Sequence, residues 1–172
     1  VSAVAAGASQ STPILITDRE GTITLDRPGP EPSQDWVKVN AGQTGFYRVN
    51  YAPEEWSNLQ EAVETQLLPA NDRLGLQNDA YALVRAGFLP ATVFLSLAES
   101  YKGEDSMPVW SDLATNLRGM EAILIDELLL PDYQSFAGNI FQKIVNKVGW
   151  DPMPGAGHLD ALLRSIVLGQ KG

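Results

Sequence analysis

Apolar positions recur every second residue between residues 13 and 51, then every third or fourth from residue 53 onward. In the first part, Ile14, Leu15, Ile16 and Thr17 precede the turn-like Asp18-Arg19-Glu20-Gly21, and Thr22, Ile23, Thr24 and Leu25 follow it. β-Branched residues flanking a glycine-containing turn predict a hairpin. After the Pro-Gly-Pro break, Trp36-Val37-Lys38-Val39 leads into Asn40-Ala41-Gly42 and out through Phe46 to Tyr51. That predicts a second hairpin, about four strands in all, with Tyr47, Val49 and Tyr51 on the covered face of the last. Four strands are fewer than the about seven of a closed sandwich.

The second part predicts six helices. Trp56, Leu59, Val63 and Leu67 form the first stripe, with Pro53 where the first turn tolerates a missing N–H. The second starts near Asn71 or Asp72, carries Leu76, Ala80, Leu83 and Val84, and stops before Gly87, a residue suited to a left-handed cap. Pro90 opens a third with Phe94, Leu97 and Tyr101, and Pro108 a fourth with Trp110, Leu113, Leu117, Met120 and Leu124. The fifth runs over residues 132–148 through Phe136, Ile140 and Ile144 and ends at Gly149; the sixth holds Leu159, Leu162, Leu163 and Ile166. Short connections favour antiparallel neighbours, so the expected fold is mostly α: antiparallel helix pairs in an α-solenoid of the HEAT or armadillo kind, after a small partial β-sandwich. The domain reading is a flexible lead-in over 1–12, the partial sandwich over 13–52, and a truncated helical domain over 53–172.

Composition narrows the function classes. With 44% hydrophobic residues among 172, the chain carries enough apolar material for a core. A formal net charge of -9 disfavours nucleic acid and anionic membranes, which recruit partners through clustered Lys and Arg. No apolar run approaches the about 20 residues that span a bilayer, and the start has no basic and apolar leader regions. Without cysteine there is no disulfide or thiolate chemistry, and no Asn-x-Ser/Thr acceptor occurs. The expected location is cytoplasmic.

No catalytic, cofactor-binding or metal residue is predicted. His158 is the only histidine, so the paired imidazoles of a His-Glu-x-x-His zinc site cannot be assembled. His158 reads as a polar residue at a helix start. There is no Gly-x-Ser-x-Gly elbow, and the adjacent carboxylates Glu54-Glu55 and Asp126-Glu127 cannot face one another on a helix. The acidic stretch Gly103-Glu104-Asp105-Ser106 lacks calcium-loop spacing and reads as a connector. GQTGFYRVNY, residues 42–51, has neither the Lys ending of a phosphate loop nor a following helix. As an RNA-recognition motif it fails at Thr44, Tyr47 and Arg48.

Four stretches in order, WVKVNAGQTGFYRVNY, LPANDRLGLQNDAYALVRAG, MPVWSDLATNL and GWDPMPGAGHLDALLRSIVLG, resemble zinc-dependent aminopeptidases related to puromycin-sensitive aminopeptidase and aminopeptidase N. The resemblance covers residues 13–172. It implies the end of a β-sandwich domain and the start of a C-terminal helical domain, within an enzyme that removes N-terminal amino acids from peptides. Zinc would then belong to the parent enzyme, because neither His-Glu-x-x-His nor the amino-terminus-binding Gly-x-Met-Glu-Asn occurs here. The implied role is architectural: capping the zinc site and shaping a peptide chamber. The implied partners are the catalytic zinc domain and the peptide, and the chain should be inactive alone. Trp110 reads as core; neither it nor Asn116 can be assigned to the chamber from sequence. A free-standing helical scaffold for peptide or protein binding is the alternative. Open ends, above all the stripe Leu159, Leu162, Leu163 and Ile166, predict self-association.

Overall fold

The computed structural model describes residues 1–6, 13–25, 36–149 and 164–165. These residues form two compact units, Val1–Leu97 and Ala98–Gly172. The expected sixth helix and His158 lie outside the described residues, apart from helical Arg164 and Ser165.

In the first unit, β1 (Ala3–Ala5) pairs antiparallel with β2 (Val37–Val39), in the register Ala3 to Val39 and Ala5 to Val37. Ala3 and Ala5 are buried, so these three residues are strand where the sequence suggested a flexible lead-in. Their small side chains hide the strand from a pattern search, because a strand shows itself through bulky β-branched residues. The hairpin expected over residues 14–25 is absent. Ile14 instead exchanges two backbone hydrogen bonds with Val1, at 2.5 and 2.8 Å, while Leu15 is exposed. An isolated two-stranded hairpin is marginal in water. Among the described residues the sheet therefore has two strands rather than four.

Helix α1 (Pro53–Glu64) buries Trp56, Leu59, Ala62 and Val63, with proline in its first turn. It ends three residues short of Leu67, the last position of the expected stripe. Gln66 takes a left-handed conformation (φ 56°), its N–H reaches the Val63 carbonyl at 3.0 Å, and the Leu67 N–H reaches Ala62 at 3.0 Å. This closing pattern turns Leu67 outward and puts Leu68 in the core instead. Helix α2 (Ala70–Arg85) ends in the same way at Gly87 (φ 76°), as its sequence predicts. Helix α3 (Ala91–Glu99) follows, and its Phe94 packs on Tyr81 with ring centroids 5.5 Å apart.

In the second unit, α4 (Met107–Ile123) and α5 (Leu130–Val148) run antiparallel. The direction is fixed by two pairings: Tyr133 donates to the Leu117 carbonyl at 2.7 Å, and Trp110 meets Phe141 at 5.0 Å. Residues advancing along α5 thus meet residues retreating along α4. Leu113, Leu117, Ile140 and Ile144 fill the seam, as the helical period requires. The acidic connector has a structural task. Glu104 is buried, and its carboxylate accepts the N–H groups of Asp105 and Ser106 at 2.9 and 2.8 Å, while its carbonyl accepts from the Trp110 indole at 3.0 Å.

Candidate functional site: a loop latched onto a helix face

The densest polar cluster lies in the first unit, between residues 38–51 and α2. In α2, Asp72, Gly75 and Asp79 sit three and four residues apart, so at 3.6 residues per turn they share one face. Both carboxylates are buried, at 2% and 1% exposure. Each takes a backbone amide from the loop: Gly42 N–H donates to Asp72 Oδ1 at 2.8 Å, and Val49 N–H to Asp79 Oδ2 at 3.3 Å. Arg48 adds a charge-assisted bond to Asp79 Oδ1 at 3.1 Å. Gly75, between them, leaves room for Gln43, whose side-chain Cδ would lie 2.0 Å from a Cβ at that position.

The loop is shaped to reach these anchors. Asn40 adopts a left-handed conformation (φ 59°, ψ 46°), which asparagine tolerates better than most residues, and Gly42 follows at φ 70°. The Asn40 side-chain amide then closes the turn, accepting from Gly45 N–H at 2.8 Å and donating to the Gly45 carbonyl at 3.0 Å. Residues 41–43 form one 3-10 turn. The expected outgoing strand does not form. The Gly42 and Val49 amides bond to carboxylates, which are stronger acceptors than strand carbonyls, so no ladder is needed. The expected facing fails at Tyr47, which is 36% exposed, whereas Phe46 on the opposite face is wholly exposed and Val49 is half-buried, as the alternation requires. Only Tyr51 behaves as an anchor. Its hydroxyl accepts from Val39 N–H at 3.1 Å, and its ring meets Trp56 edge-on at 5.0 Å.

Lys38 completes the cluster from β2. It is wholly buried, donates to the Val39 carbonyl at 2.6 Å, and lies 3.9 Å from Asp72 Oδ1. Burial lowers its amine below the ordinary 10.5, with Asp72 and then Asp79 opposing. Burial raises the Asp79 carboxyl, against the pull of Arg48, the Val49 amide and Lys38. Burial also pushes the Tyr51 phenol up. The signs give a pH profile. In the window between the lowered value and 10.5 the unfolded chain holds more protons than the folded one at Lys38, so stability rises with pH there. Asp79 acts oppositely: its stabilising share is full below the ordinary 3.8 and is lost as pH rises through its raised value. The difference in urea midpoint, native chain minus Lys38→Met, should grow as pH rises toward 10.5, a comparison in which the opposing Tyr51 phenol cancels; a difference that does not change with pH would remove Lys38 as the source.

Chemically, the cluster holds rather than transforms. A shallow depression of about 270 Å³ lined by Gln43, Gly45, Phe46, Tyr47 and Arg48 lies on its outer side. Among the described residues, no three His, Cys, Asp or Glu side chains come together as metal ligands. The zinc implied by the resemblance does not fit here: Asp72 and Asp79 are occupied by amides, and Lys38 and Arg48 beside them repel a dication. Trp110 and Asn116 are both buried, the latter donating to Asp112 at 3.0 Å. Glu54 and Glu55 lie in the first turn of α1, where carboxylates complement the helix dipole, and Asp126 and Glu127 are exposed. Sequence reading passed over Lys38, Asn40, Asp72 and Asp79. The available signal was an Asp-x-x-Gly-x-x-x-Asp spacing inside a helix.

Comparison with known proteins gives this cluster its context. Residues 36–172, which include both the loop and α2, match the family described as ERAP1-like C-terminal domain. The chain is 38% identical over 136 residues to Aminopeptidase M1-A of Oryza sativa subsp. japonica, covering 77% of this chain and 15% of that protein. It is 37% identical over 135 residues to Aminopeptidase M1 of Arabidopsis thaliana, covering 77% and 15%. With Aminopeptidase M1-B of Oryza sativa subsp. japonica it shares 32% over 149 residues, covering 86% and 17%. The chain thus spans a small fraction of the length of these curated relatives. From residue 36 onward, loop, latch and helices together, the chain belongs to the ERAP1-like C-terminal domain family of the M1 aminopeptidases.

Proposed function

We propose that this chain is the non-catalytic C-terminal portion of a cytoplasmic zinc metalloaminopeptidase that removes N-terminal amino acids from peptides. In this reading it caps the active site and shapes the peptide chamber. Its partners are the catalytic zinc domain of the parent chain and the peptide, the helices continue as a solenoid of antiparallel pairs, and its ends associate with one another when isolated. The reading sets residues 13–52 as the sandwich remnant and 53–172 as the helical domain. The observation that supports it is the match of residues 36–172 to the ERAP1-like C-terminal domain family, with Asp72 and Asp79 engaged in holding a loop.

The isolated 172-residue chain should show no turnover of aminoacyl fluorogenic substrates, with or without added zinc. Chelator-sensitive turnover by the purified chain would overturn the non-catalytic assignment. For the chamber, Asp79→Asn in the parent enzyme should raise KM for long peptides more than for single aminoacyl amides. Equal changes for both would remove the chamber role.

A further inference from the structure

The connection between α4 and α5 carries an apolar surface that the described structure leaves open. Ile123, Ile125, Leu128 and Leu129 are 65%, 67%, 98% and 62% exposed, within seven consecutive positions. Scattered exposed leucines are ordinary, but a contiguous apolar group of this kind marks an interaction surface. The backbone beneath it is ordered by three successive short turns. Leu124 N–H bonds to Glu121, Glu127 N–H to Leu124, and Leu130 N–H to Glu127, at 2.9, 2.9 and 3.1 Å. Side chains held on a preformed backbone lose less entropy when a partner covers them.

Charge selects the partner. Glu121, Asp126, Glu127 and Asp132 accompany the apolar residues, while no Lys or Arg occurs between Arg118 and Lys143. Asp126, Glu127 and Asp132 are exposed, and Glu121 accepts from Gln134 at 2.7 Å. A second copy placed here by a two-fold axis would bring carboxylates against carboxylates, because such an interface meets itself. An anionic bilayer meets the same repulsion. We propose that residues 121–132 form a docking surface for a basic amphipathic helix of a protein partner, whose apolar face covers Ile125 and Leu128 while flanking Lys or Arg side chains meet Asp126 and Glu127.

The test uses the full 172-residue chain and two labelled synthetic helices with the same leucine face, one flanked by lysine and one by glutamate. Fluorescence anisotropy should show at least tenfold tighter binding of the lysine helix, weakened by added salt. Ile125→Ser with Leu128→Ser should lower that affinity at least tenfold, whereas Phe88→Ser, an equally polar change at an exposed site in the other unit, should leave it unchanged. Asp126→Asn with Glu127→Gln should weaken binding more than Glu61→Gln with Glu64→Gln, which alter net charge equally. Circular dichroism confirms that each variant stays folded. Equal binding of both helices, or insensitivity to the Ile125 and Leu128 changes, overturns the proposal. So does a concentration-dependent dimer in sedimentation that the Ile125→Ser, Leu128→Ser variant abolishes, since a second copy would then be the occupant.

Discussion

Asp72→Ala is expected to destabilise the chain by about 3–5 kcal/mol, the range for removing one partner of a buried ion pair. Two losses combine. Lys38, wholly buried, keeps its amine without the carboxylate 3.9 Å away, and the Gly42 amide loses its acceptor at 2.8 Å. The attraction across 3.9 Å is weaker than a direct bond, so the penalty comes mainly from what is left unpaired. Lys38→Met combined with Asp72→Leu should therefore recover most of the stability, because an apolar pair of similar volume needs no solvation. Urea unfolding of the two single variants and the double variant measures the coupling directly. A loss below about 1 kcal/mol in Asp72→Ala would show that Lys38 sheds its proton or finds water, and that the pair contributes little.

The second large effect is expected at Trp110→Ala, at about 3–5 kcal/mol for truncating a buried tryptophan. Trp110 is wholly buried, stacks obliquely on Phe141 at 5.0 Å, and donates its indole N–H to the Glu104 carbonyl at 3.0 Å. The substitution opens a cavity in the α4 and α5 seam and frees the connector that leads into α4. Trp110→Phe should retain most of the packing and lose mainly the hydrogen bond, about 1 kcal/mol. Because the chain has two compact units, unfolding should be followed by two probes, far-ultraviolet dichroism and tryptophan fluorescence. Equal, small effects of both substitutions would mean that the seam tolerates a void and that Trp110 is not a keystone of the unit.

The helices were legible because their signals are local. Pro53 and Pro108 stand in first turns, Gly87 takes the left-handed cap, and Phe94, Leu97, Leu113 and Ile140 are buried on the predicted stripes. Where the ending was not local, the reading slipped. Gln66 serves as a left-handed terminus that a glycine search does not find, and this exchanged Leu67 for Leu68 in the core. The strands were less legible, since pairing depends on a partner far along the chain. Ala3–Ala5 finds Val37–Val39 across more than thirty residues, while the β-branched runs over 14–25, whose Ile14, Ile16, Ile23 and Leu25 are half-buried, form no strand.

The sequence by itself determined the positions of α1 to α5, the acidic character that sets the sign of the proposed docking partner, and the family kinship carried by four ordered stretches. Only the tertiary structure decided what residues 42–51 are. Their alternation fits a strand, yet the Gly42 and Val49 amides lie against carboxylates on a helix about thirty positions later, and those charge-assisted bonds replace a ladder. The same holds for Lys38, which looks like the solvent-facing member of an alternating strand and is instead wholly buried. A hydrophobic pattern records which residues prefer to leave water. Whether a lysine, two aspartates and two backbone amides can leave it together depends on their meeting in space.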